Sequence, residues 1–432
     1  MKAWITMLMV AAILPSLSMA GPREQARRIH DRLTGTPPSE NMLNRMTAAI
    51  TAGNAVQAAE YAMDGAPDIG SGAEAANGNF YNVVVKNWIT PATNQSFNAF
   101  APLNDYSATV IGMVRDSGAT DTYTPSIMVD FRELLSGDII YTGNIPGIPA
   151  YNNSDNNHYE FLENSAANMG DDSVLQYQPQ SSVTGIATAG IAGVQTTRAA
   201  ARAFFIDGTN RAMFRYTLVN HLCMDLEQLK DTTRPSDRIR QDVSRSPGLD
   251  STLFLNQCVG CHSGMDPMAQ AYAYHQYDYP TEADMPGASQ EQREELGQLL
   301  YTPGAVQPKY LINATTFAPG YVTPNDHWTN YWRLGDNSER IGWLNPAIDD
   351  GTNLALNPQY SEGIGASSLG RELAHSKAFT SCQVKKTYRS VCGREPGPAD
   401  SADVNSIAAN FNASGNMKRV FAEVAVACAN HL

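Results

Sequence analysis

The chain reads as a mainly α-helical, multi-domain protein with long ordered loops between its helices. Apolar residues recur at helical spacing near 39–63, 199–226 and 378–392, and much of the sequence between them, above all 66–177, is rich in Gly, Asn, Asp and Pro. Composition agrees: of 432 residues 43% are hydrophobic and 17% charged, which excludes a disordered, collagenous or multi-span membrane chain. At ~100–200 residues per domain, this length allows two to four domains. Lys plus Arg number 30 against 43 Asp plus Glu, a net charge of −13, so no basic surface is available for a phosphate backbone and nucleic acid is not an expected partner.

Residues 1–20 carry Lys2, an apolar run over 3–14, a break at Pro15, and small residues at Ser18 and Ala20. This is the pattern of a signal peptide cleaved after Ala20, and the run is too short to anchor the chain across a bilayer. No Cys stands at the cleavage point to take a lipid, and no later segment is long and apolar enough to span a membrane. The expected location is therefore periplasmic or secreted, in an oxidising compartment.

After this segment the sequence predicts a basic helix over 21–33, stopped at Gly35–Pro38, and a second helix over 39–63 with Met42, Leu43, Met46, Ile50, Val56, Ala59 and Met63 on one face. Residues 66–177 read as helices joined by loops. Within them YNNSDNN at 151–157 lacks the Gly and closing Glu of a calcium loop and reads as a polar turn. Two amphipathic helices follow, separated by Asp207 and Gly208, and the polar, basic stretch 231–247 reads as a linker folding back over the helical part.

The chemistry lies just beyond it, in Cys258-Val259-Gly260-Cys261-His262. On a helix these two Cys and the His stand at i, i+3 and i+4, within an arc of about 100°, so one flat macrocycle can meet all three. The thiols would form thioethers to haem vinyl groups while His262 reaches the iron, which predicts one covalent haem c. Asp250 is placed to cap this helix, Gly264 to end it, and Phe254 and Leu255 to extend its apolar face toward the porphyrin edge. Asp266 then reads as the cap of a next helix, with Pro267 at its first position. A thioredoxin-like dithiol would want a strand before the motif, and a zinc site a second Cys or His pair after it.

A second axial ligand is less legible. Met265 and Met268 are too near the motif to cross the ring and read as packing residues, and His275 falls beside the haem. His327 ranks first and Met285 second, both in loop-like surroundings, and an open sixth position is the remaining option. His30, His158, His221 and His431 read as ordinary surface or core residues. The other four cysteines are expected to form two disulfides. Cys382 and Cys392 stand ten residues apart on a predicted helix, ~15 Å, beyond the ~7 Å that a bridge spans. One should then pair with Cys223 and the other with Cys428.

The run CHSGMDPMAQAYAYHQYD at 261–278 resembles the haem signature of the planctomycete-type cytochrome c-like family. A helical segment at 185–223 ending in Cys, the run RLTGTPPS at 32–39, and Phe379, Cys382, Gly393, Arg394 and Pro396 are similar to other parts of that family. The resemblance implies a secreted, mostly helical mono-haem protein, with Cys258 and Cys261 as attachment points and His262 as proximal ligand. It supplies neither a distal ligand nor a substrate.

The expected organisation is a signal peptide (1–20), an N-terminal mostly helical region (21–235), a cytochrome c-like haem domain (236–360) and a disulfide-tied helical C-terminal domain (361–432). The expected function is single-electron transfer to a redox partner protein. One alternative is a peroxidase-like oxidoreductase with a labile sixth iron position, drawing an acid-base group from Glu282, Asp284, Asp326 or His327. Another is a partner- or ligand-binding protein with a haem module, in which Trp328, Tyr331, Trp332 and Trp343 line a surface rather than pack a core.

Overall fold

The computed structural model describes residues 21–430 except 69, 71, 207, 312–316 and 349–359; the Asn430 side chain, the export segment predicted at 1–20 and His431 lie outside the described residues. Pro22 opens the first helix, Pro22–Thr34, where its missing N–H costs nothing, and Gly35 closes it at a φ of +68°. Ser39 accepts from the Met42 N–H to start the next helix, Glu40–Thr51. The single helix predicted over 39–63 is in fact two. The chain turns at Gly53, φ +85°, a conformation that favours glycine, and resumes as Ala55–Asp64. The two pieces thereby fold against each other and bury Met42, Met46, Ala59 and Met63.

The fold is mainly α-helical. Its strands among the described residues form two-stranded antiparallel ladders, 65–66 with 74–75, 140–143 with 175–178, 275–278 with 298–301 and 327–330 with 361–364, besides isolated bridges. Helix Asp105–Asp116 is buried along its whole length, which forces its polar ends to be satisfied internally. Asn104 and Ser107 cap it reciprocally, and at its far end Arg115 pairs with Asp116 at 2.7 Å and donates to the carbonyls of Met169, Asp171 and Leu175. The segment 151–157 is a polar turn, with Asn152 bridging Ser154 and Asp155.

The first and last described helices meet. Helix Met417–Asn430 packs against Pro22–Thr34 and Ala55–Asp64 on one side and against Lys377–Cys392 on the other. Cys382 pairs with Cys223, Cα atoms 5.3 Å apart, and Cys392 with Cys428, 5.8 Å apart. Cys382 and Cys392 do not pair with each other, as their separation along one helix requires. The largest apolar core runs from Ala26 to Ala429 through the middle of the chain, and the helix that bears the Cys-His motif lies against it.

Candidate functional site

The motif helix starts where predicted. The Asp250 carboxylate accepts from the Thr252 N–H, helix begins at Ser251, widens through Phe254–Cys258 and continues as Val259–Ala269. It does not end at Gly264. A Cβ on Gly264 would coincide with the Trp332 indole, so the glycine is there for close packing and the helix runs on through Pro267. Nor is Asp266 a cap, because it lies inside this helix and is fully buried.

The burial pattern gives the helix two faces. Val259, Gly260, Ser263 and Gly264 face inward, whereas Cys258, Cys261 and His262 are half-buried at the solvent boundary. Leu255, one turn before Cys258, is 57% exposed. Phe254 departs from expectation: it turns inward against Ile239, Val243 and Val259 under the Arg245 guanidinium, 4.9 Å from its ring. The stretch 231–247 supplies this cover. Cys258 packs against the same cluster, and Cys261 Sγ lies 3.7 Å from the Leu226 carbonyl. Of the six cysteines these two are unpaired. Burial, then the nearby Glu227 charge, push the Cys261 thiol up, the opposite of the lowering that a reactive dithiol needs.

Beneath the motif sits a charge network that the sequence reading missed. His262 Nδ1 is 3.1 Å from Asp266 Oδ1. Arg211 grips the same carboxylate with Nε at 2.7 Å and Nη2 at 3.0 Å, and the Arg240 backbone N–H donates to it at 3.1 Å. Burial alone would raise the Asp266 carboxyl; the Arg211 and Arg240 charges and the His262 hydrogen bond outweigh it and hold it well below the usual range. An ionised carboxylate only accepts, so the His262 proton stands on Nδ1. In the neutral ring Nε2 then carries the lone pair. The spacing of His262 and Asp266, four apart on one helix, was the available signal; reading Asp266 as a cap concealed it.

His327 opens the strand His327–Asn330, which packs on the motif helix. It lies near that helix's C-terminal end, where Gln270 donates to the Asn325 carbonyl, eight residues beyond His262 or ~12 Å along the axis. Met285 is half-buried in a loop held by Thr281 and Asp284, part of the 275–301 hairpin that packs on Arg198–Phe204. Met265 and Met268 are core residues, and His275 is buried with Nε2 donating to the Gly190 carbonyl. Of the aromatic segment, Trp328 and Trp332 are fully buried and Tyr331 nearly so, so these three pack a core and do not line a surface. Among the described residues no group of three or more His, Cys, Asp or Glu side chains has the arrangement to hold a bare metal ion. No helix among them is long and apolar enough to cross a membrane. The chain matches no protein-family model, no curated protein and no solved structure.

Proposed function

We propose that the chain is an exported mono-haem c-type protein that passes single electrons to and from a redox partner, with haem held by thioethers at Cys258 and Cys261 and by His262 at the iron. The observation that carries this reading is one open helix face. It presents two unpaired thiols and an imidazole whose Nδ1 is already committed to Asp266, leaving Nε2 for a metal. The exposed Leu255 beside them gives a flat apolar ring something to cover. Haem would supply the one-electron couple; the chain's part is to attach it, orient the ligand and set its surroundings.

Two disulfide pairs accord with maturation in an oxidising compartment, where haem c is also attached. Electron transfer is favoured over peroxide chemistry because two of the acid-base groups the latter would draw on are engaged elsewhere. Glu282 pairs with Arg293, and Asp284 holds Thr281. For the sixth iron position His327 ranks before Met285 on sequence grounds alone; the structure sets His327 ~12 Å along the helix from His262 and Met285 on the 275–301 hairpin. The net charge of −13 suits a basic docking surface on the partner.

The test is expression into the periplasm with haem-ligation machinery, followed by intact mass and a pyridine haemochrome spectrum. One covalent haem is expected in the native protein, a single thioether in Cys258→Ala or Cys261→Ala, and none in the double variant. A colourless native protein lacking the added mass would end the proposal. His327→Ala or Met285→Ala should change the low-spin spectrum of whichever supplies the ligand; no change in either would remove both.

A further inference from the structure

We propose that Asp266 is a positioning residue that sets the donor strength of His262, and through it the reduction potential of the iron, with Arg211 as the counterweight; this rests on the haem reading above. Asp266 is buried, gripped by the Arg211 guanidinium at 2.7 and 3.0 Å, and in contact with the imidazole nitrogen opposite the one that would face the metal. A carboxylate accepting from Nδ1–H raises the basicity of Nε2 and strengthens its bond to the more positive metal state. Ferric iron is thereby favoured over ferrous and the potential falls.

The remaining contacts of the carboxylate limit the effect. Arg211 divides its guanidinium between Asp266 and Asp242, at 2.7 and 2.6 Å, and Arg240 approaches with its backbone N–H and, at 3.8 Å, its Nη2. These positive charges hold electron density on Asp266 that His262 would otherwise draw. The pull on the ligand is thus set by one acid and tempered mainly by one base. A purely structural role, tying linker 231–247 and helix Arg211–Thr217 to the motif helix, would use the same contacts but would not make the two substitutions act in opposite directions.

The experiment uses the full chain matured with haem, comparing the native protein with Asp266→Asn and Arg211→Gln. The haemochrome assay comes first: a native protein without covalent haem overturns the functional reading and this inference with it. With haem present, Asp266→Asn should raise the midpoint potential by at least a tenfold change in the oxidised-to-reduced ratio, about 59 mV for one electron. Arg211→Gln should lower it. The g-values of the ferric electron paramagnetic resonance spectrum should move in both variants, because they report the ligand itself and not a distant charge. Unchanged potentials, shifts of the same sign, or shifted potentials with native g-values would each overturn the inference while leaving the haem reading intact. If Asp266→Asn fails to fold, Arg211→Gln decides alone: a lower potential with altered g-values supports the inference, and any other result overturns it.

Discussion

Gly264 shows how much one missing methyl group determines at this site. Trp332 is fully buried, and its indole Nε1 lies 2.1 Å from where a Gly264 Cβ would sit. The helix and the indole can touch only because the position is glycine, and Gly264→Ala must displace either a large aromatic ring or the helix backbone. The expected cost is about 1–3 kcal/mol, the usual range for overpacking a filled core. Trp332 Nε1 makes no hydrogen bond, so Trp332→Phe removes bulk without removing a partner. Adding Trp332→Phe to Gly264→Ala should then recover part of the loss, which thermal melts of the two single variants and the double variant would read as a coupling. A Gly264→Ala protein melting with the native one would show that the contact is slack.

Helices that read clearly in the sequence are those whose signals are local. Gly35, Ser39 and Asp250 mark helix ends by their own backbone or side-chain chemistry, and each stands where the structure starts or stops a helix. The Cys258, Cys261 and His262 face was legible for the same reason, being a matter of angular spacing alone. Gly264 and Asp266 were misread because their roles are fixed by distant partners, Trp332 for one and Arg211 and Arg240 for the other. The helix Lys377–Cys392 connects the two disulfides, and here sequence separation predicts a difference. Cys223–Cys382 closes a loop across 159 residues and Cys392–Cys428 one across 36. Chain entropy assigns their removal about 5 and about 4 kcal/mol respectively. Urea titration of the two double Cys→Ser variants should therefore place the Cys223/Cys382 variant at the lower midpoint. The reverse order would mean that the unfolded chain is not what the bridges constrain.

Among the described residues the molecule buries four neutral histidines, and they shape its response to acid. His158 is the clearest: Nδ1 donates to the Pro149 carbonyl at 2.7 Å while Nε2 accepts from the Gly143 N–H at 2.8 Å, so a second proton would break a bond already made. Burial lowers His30, His158, His221 and His275 alike, and takes His275 down to about 4. In the unfolded chain each would titrate near ~6.5. Between these limits the unfolded state binds more protons than the folded one, so stability rises with pH and is lost as pH falls. The His275 contribution is fully present above the unfolded value and gone near pH 4, which amounts to about 3 kcal/mol. The other three act in the same direction, and below pH 4 protonation of Asp266, whose folded value is also depressed, continues the loss. The histidines should lower the melting temperature from pH 6.5 to pH 4 against an opposing contribution from Glu60, Asp105, Glu133 and Asp326, whose carboxyls burial raises. His275→Gln, which cannot titrate, should flatten that slope by close to one proton's worth. Calorimetric melts at half-unit intervals would measure it, and an equal slope in native and variant protein would show that His275 is protonated at no cost to the fold.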